Sequence, residues 1–221
     1  MTVKIYKSVL SNQVIESLLD FFNSNTNLHS DTMGMTKINL PWKHVQHILE
    51  PILKKYIPVD KNLGDNFYKH SFPYFTHIDS GNNKNSYNVL IPLYLSHKAA
   101  KQKFVVFDQY CTDYGGATWL GDIWKPQQDF KLNKKRDFPY KDPTVVGCTD
   151  RPISDEMYQI LKYDYRNEEQ FYGLTGIAYD YTPGNILVFP SNQLHCTGRM
   201  DCDYKIGLSL RFEILDKSQI L

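Results

Sequence analysis

A chain of 221 residues, 42% hydrophobic and 22% charged, is long enough to bury one sizeable core and has the balance of an ordinary globular protein, which excludes global disorder. Its 25 basic and 24 acidic residues leave a formal net charge of +1, without the basic excess that a protein bound to nucleic-acid phosphates carries. No window approaches the ~20 apolar residues of a membrane span, and the opening MTVKIYKSVLSNQ has no apolar stretch of signal-peptide length.

Cys111, Cys148, Cys196 and Cys202 are scattered and form no Cys-x-x-Cys pair, so they read as reduced thiols of a cytoplasmic protein. The 16 Tyr, 12 Phe and 3 Trp favour a β-rich core, because aromatic side chains fit a pleated, half-buried surface. The sequence is expected to form a single domain over 1–221.

Two amphipathic helices are predicted first. Ser11 is an N-cap, and Val14, Leu18, Phe21 and Phe22 recur at helical spacing behind it. Val45, Ile48, Leu49, Ile52, Leu53 and Tyr56 repeat the pattern, with Pro51 inside predicting a kink or two short helices. His44 and His47 fall on the polar face of this segment, with no third metal ligand nearby.

From about Asp65 the period becomes strand-like. FYKHSFPYFTHID, SYNVLIPLYL and KFVVFDQY are short aromatic and β-branched runs, the first two separated by the loop DSGNNKNS. Pro92 inside the second run predicts a bulge or an edge position. Cys111–Phe171 is irregular, apart from a short helix capped by Ser154. Segments of that length are usually lids or binding loops. The run Lys131, Lys134, Lys135, Arg136 reads as a solvated loop face. Trp119, Trp124, Phe130, Phe138 and Tyr140 either grip a substrate or pack the insertion onto the core. Strands resume with GLTGIAYDY, the Pro183-Gly184-Asn185 turn, ILVFP and DYKIGLSLRFEIL. Helices followed by strands with dense turns predict an α+β protein built on a double-stranded β-helix, or jelly roll, with N-terminal supporting helices and a long insertion at about 111–171.

FTHIDSG sets His77 and Asp79 two apart, on one face of a strand, so imidazole and carboxylate can reach a single ion. His195, after ILVFPSNQL, is the strongest third ligand. Two histidines and a carboxylate on one face of a metal leave the opposite positions open, as iron(II) oxygenases need. Cys196 should point away from that face. Ten residues beyond His195, Lys205 stands among Ile206, Leu208, Leu210 and Phe212. A cation buried there requires an anion, which a ligand carboxylate supplies by charge-assisted hydrogen bonding. Arg211 shares the face of Lys205 and is its rival, with poorer spacing from His195.

His-x-Asp, a long gap, PGNILVFPSNQLH and a basic residue ten positions on resemble the 2-oxoglutarate/iron(II) oxygenase superfamily, in its prolyl-hydroxylase-like branch. The resemblance covers roughly Tyr68–Leu95 and Tyr179–Phe212. It implies Fe(II) on His77, Asp79 and His195, and 2-oxoglutarate held at its distal carboxylate by Lys205 and by Tyr68, nine residues before His77. Tyr74 recurs in the same pattern. It further implies O2 and a peptidyl or small-molecule substrate, with hydroxylation giving succinate and CO2. Asp79 as a ligand favours hydroxylation over halogenation, which needs that metal position for halide. Pro92 and the segment Cys111–Phe171 depart from the pattern. Nucleic acid is disfavoured by the near-neutral charge. A jelly-roll metal-binding protein, or a metalloenzyme that does not use 2-oxoglutarate, is the alternative.

Overall fold

The structure, a computed structural model, describes residues 3–32, 35–39, 42–79, 85–112, 117–119, 134–136, 138–163 and 166–214. In chain order it contains β1 (Lys4–Tyr6), α1 (Asn12–Ser24), β2 (Ser30–Thr32), β3 (Met35–Asn39), α2 (Gln46–Leu53), β4 (Lys61–His70), β5 (Thr76–His77), β6 (Ser86–Leu95) and β7 (Lys103–Cys111). Then follow β8 (Ala117–Trp119), β9 (Lys134–Arg136), β10 (Val145–Val146), α3 (Asp155–Leu161), β11 (Gly176–Asp180), β12 (Ile186–Pro190), β13 (Gln193–Thr197) and β14 (Lys205–Glu213).

The Ser11 hydroxyl caps α1 by accepting from the Val14 amide at 3.4 Å, and Ile15, Leu18 and Phe22 form its buried face. α2 is shorter than its apolar repeat: Pro51 lies in its last turn and the helix ends at Leu53, leaving Tyr56 exposed beyond it. Proline supplies no amide hydrogen to continue the ladder. A 3-10 turn at Trp42–His44 precedes α2.

Two sheets face each other. The first runs β1-β12-β6-β14-β4-β3-β2, and the second β10-β7-β13-β5-β8-β9, with β11 also on β7. α1 and α2 pack Leu18, Phe22, Leu49 and Leu53 on the outer side of the first sheet, against Ile38, Phe67, Ile91 and Leu208. Between the sheets lie Tyr68, Leu90, Phe104, Val106, Tyr181 and Phe189. Alternation along β7 sends Phe104 and Val106 inward, and Val105 and Phe107 outward to Leu161, Phe171 and Leu174.

Pro92 is accommodated by a bulge, as its position predicts, but in a central strand. The register shifts between Ile206 and Gly207, opposite it, and β6 lies between β12 and β14. Of the basic run, Lys131 lies outside the described residues, and Lys134–Arg136 forms a strand parallel to β8 rather than a loop. The described residues of the insertion beyond 138 are not free of the core. β10 pairs with the end of β7, Ser154 caps α3 by accepting from the Met157 amide, and Leu161 and Phe171 are buried on the outer face of the second sheet. Phe138 and Tyr140 stack on each other, and Tyr140 packs on Tyr172. Trp124 and Phe130 lie outside the described residues.

Candidate metal and anion site

Register brings the two histidines together. His77 and His195 are direct partners across β5 and β13, with ring centroids 4.1 Å apart. β5 stops at His77, so Asp79 lies just past the strand rather than on it. Its amide nevertheless donates to the Ser191 carbonyl at 3.0 Å, which keeps the loop beside β13. The Asp79 carboxylate comes within 3.3 Å of His195 Nε2 and 3.8 Å of His77 Nε2. Ligand atoms of the three residues lie within 4.8 Å of one another, and no other such group occurs among the described residues, His44 and His47 included.

The donor set fits a divalent metal. His77 Nδ1 donates to the Phe75 carbonyl at 2.8 Å and His195 Nδ1 to the Gln193 carbonyl at 2.9 Å. Both rings therefore present the Nε2 lone pair toward Asp79, the arrangement by which outer hydrogen bonds orient metal-binding imidazoles. Burial, helped by the neighbouring His195, pulls His77 down to about 4, so it is neutral and able to coordinate near pH 7. Burial alone would raise Asp79, but the imidazoles of His195 and His77 in their protonated forms, with Arg211, outweigh it and hold the carboxyl well below its usual range.

Asn88 and Arg211 complete the support of Asp79. Asn88 Nδ2 donates to Asp79 Oδ2 at 2.5 Å, and the Ser191 hydroxyl, donating to Asn88 Oδ1 at 3.2 Å, sets the amide's orientation. Arg211 donates through Nη1 to the Asp79 carbonyl at 2.8 Å and through Nη2 to the Leu63 carbonyl at 3.3 Å. Arg166, also buried, fastens the approach to His77 by donating to the carbonyls of Tyr74, Leu161 and Thr197. Tyr74 stands edge-on to His77 at 4.8 Å.

Lys205 is the deepest cation among the described residues, 1% exposed. Its Nζ donates to the Thr197 hydroxyl at 3.0 Å and lies 4.5 Å from the centre of the Tyr181 ring. Among the described residues no carboxylate pairs with it. Burial, with the Arg166 guanidinium adding to it, lowers its pKa to about 7. Tyr68 and Tyr181 meet hydroxyl to hydroxyl at 3.0 Å. Tyr181 donates to the Ile206 carbonyl, so Tyr68 is the donor within the pair. Both hydroxyls rest on Gly207, where any Cβ would collide with them. Cys196 is buried on the opposite face, as alternation requires. Asn88, Ser191, Thr197, Tyr181 and Arg166 were not identifiable as site residues from sequence. Of these, only Tyr181, just ahead of the Pro183-Gly184 turn, stands close to a recognised motif.

No protein-family model matches the sequence, and no curated protein matches it. Solved structures do. The α-ketoglutarate-dependent non-haem carbocyclase SnoK of nogalamycin biosynthesis superposes with a TM-score of 0.56 at 9% identity, covering 97% of this chain and 80% of SnoK. The epimerase SnoN, in complex with Fe3+, α-ketoglutarate and nogalamycin RO, gives 0.55 at 10% identity, covering 96% of this chain and 78% of SnoN. A Pseudomonas putida prolyl-4-hydroxylase gives 0.52 at 7% identity, covering 97% of this chain and 93% of the hydroxylase. At such identities the likeness establishes the fold, and the chain has the double-stranded β-helix found in 2-oxoglutarate- and iron-dependent enzymes.

Proposed function

We propose that the protein is a non-haem Fe(II)- and 2-oxoglutarate-dependent oxygenase that hydroxylates a peptidyl or small-molecule substrate in a reducing, cytoplasmic compartment. One juxtaposition carries this reading. A His-Asp-His set with both Nε2 atoms turned inward shares the space between the sheets with a buried lysine that has no carboxylate partner among the described residues.

His77, Asp79 and His195 would hold the iron. The bound metal with 2-oxoglutarate and O2 supplies oxidising power, with succinate and CO2 as products. The chain's own residues do the rest. Asn88 and Arg211 keep the Asp79 carboxylate turned to the imidazoles. Lys205 Nζ, spending one hydrogen bond on Thr197, has donors left for the distal carboxylate of 2-oxoglutarate. Tyr68 assists by turning its O–H from Tyr181 to that carboxylate. The apolar wall of Phe104, Phe189 and Leu90 excludes water. Arg211 serves the metal loop through Nη1 and Nη2, which donate to carbonyls, while its buried Nε has no partner among the described residues.

Asp79→Ala tests the assignment. The variant is expected to lose stoichiometric Fe(II) binding and substrate-independent succinate formation while keeping the wild-type circular dichroism spectrum. Undiminished 2-oxoglutarate decarboxylation in that variant would sink the metal assignment. Metal binding without any 2-oxoglutarate turnover in the wild type would favour a metalloprotein that does not use this cosubstrate.

A further inference from the structure

Besides Lys205 and Arg211, the first sheet carries a third cation on its inner face, one that the metal and cosubstrate leave without a role. Ile38 and Phe67 point outward to the helices, so their neighbours Lys37 and Tyr68, direct partners across β3 and β4, point inward. On the same face Tyr68 pairs with Gly207, and His70 pairs with Met35 on one side and Lys205 on the other. Lys37 is thus two strands from β14, roughly 10 Å across the sheet, in the inward row next to that of Lys205. A small dicarboxylate anchored at Lys205 and reaching toward the imidazoles would leave Lys37 unneutralised.

Lys37 is half-buried, and burial lowers its pKa. Among the described residues no carboxylate lies within ion-pair distance of it. The carboxylate whose field reaches it is Asp79, which the two imidazoles already engage. Beside it His70 is buried between the fields of Lys37 and Lys205, and its Nδ1 has no hydrogen-bond partner. Asn66 and Ser209, partners in the inward row beyond that of Lys37, are small and polar. An ammonium without a carboxylate partner on this inner wall calls for an anion, and the unsatisfied imidazole nitrogen beside it for a hydrogen-bond partner.

We infer that Lys37, with His70 beside it, receives an anionic group of the substrate, so that the substrate bears a carboxylate or a phosphate. The inference rests on the oxygenase reading for what happens to that substrate. The acid preference itself belongs to Lys37.

The test uses matched probes: N-acetyl amino acids against their primary amides, and phosphate monoesters against the parent alcohols. Their binding is measured by calorimetry under argon, on the full chain both metal-free and loaded with Mn(II) and 2-oxoglutarate. At least one acid is expected to bind about tenfold or more tightly than its neutral counterpart. The carboxylate and phosphate arms decide which anion is preferred. Lys37→Met should bring each pair within about twofold, Lys37→Arg should retain the preference, and 2-oxoglutarate affinity should stay within about twofold in both. Acids that match their neutral partners throughout, or a preference that survives in Lys37→Met, overturn the inference. So does a loss of 2-oxoglutarate binding in Lys37→Met, which would make Lys37 part of the cosubstrate seat. Failure of the wild type to bind Mn(II) and 2-oxoglutarate would instead remove the oxygenase reading, with the acid preference still read on the metal-free protein.

Discussion

Lys205 is held charged at a cost, because burial pulls its pKa to about 7, against an ordinary value of 10.5. In the unliganded protein the unfolded chain therefore binds more protons than the folded one between those two values, and stability rises with pH across that window. A carboxylate placed on Nζ would reverse the preference by favouring the ammonium, so 2-oxoglutarate bound there would take up a proton above pH 7. The dissociation constant for 2-oxoglutarate should be flat below about pH 7 and weaken by up to about tenfold per pH unit above it. Lys205→Arg should flatten the profile, since a guanidinium stays charged throughout. Lys205→Met should raise the Michaelis constant roughly ten- to a hundredfold with little change in iron affinity. A pH-independent dissociation constant in the wild type would show that Lys205 is not the anchor. Strand alternation in the sequence places Lys205 and Arg211 on one face but does not say which partner each meets. That is set by the pairing of β14 with β4 and β6, which puts Lys205 opposite His70 and Arg211 opposite Gly64 and Asn88.

At the scale of elements, local chemistry was the legible part. The caps Ser11 and Ser154, the apolar face of α1, the turn at Gly184 with its positive φ, and the bulge at Pro92 all rest on interactions a few residues long. What depends on distant pairing was not legible. The meeting of His77 and His195, the orientation of Asn88 toward Asp79 and the placement of Arg166 require strands far apart in sequence to find their register. The insertion shows the same divide. Irregular composition suggested a lid, yet α3 buries Leu161 completely against the outer face of β7. Leu161→Ala should accordingly destabilise the protein by about 2–5 kcal/mol in urea denaturation while leaving metal affinity unchanged. A cost under about 1 kcal/mol would mean that α3 is a loosely attached lid after all.

At the scale of the molecule, the two parts of the site are contributed by different sheets. The imidazoles come from β5 and β13 of the second sheet, whereas Lys205, Tyr68, Asn88 and Arg211 come from the first. On the proposed reading, metal alone would touch the first sheet only through the supports of Asp79, and 2-oxoglutarate alone would have the Lys205 seat without its second attachment. A cosubstrate spanning both would tie the sheets together, so the two ligands should stabilise cooperatively. At a hundred times its dissociation constant a ligand contributes about 2.7 kcal/mol, and each kcal/mol moves the melting temperature of a domain this size by about 2–4 °C. Mn(II) at a hundred times its dissociation constant should therefore raise the melting temperature by roughly 5–11 °C, and 2-oxoglutarate added to it under argon should raise it further by more than 2-oxoglutarate does alone. Lys205→Met should keep the metal's shift and lose the extra increment, and Asp79→Ala should lose both. Strictly additive shifts in the wild type would mean that metal and dicarboxylate bind at independent places, and that the space between the sheets does not hold them as one site.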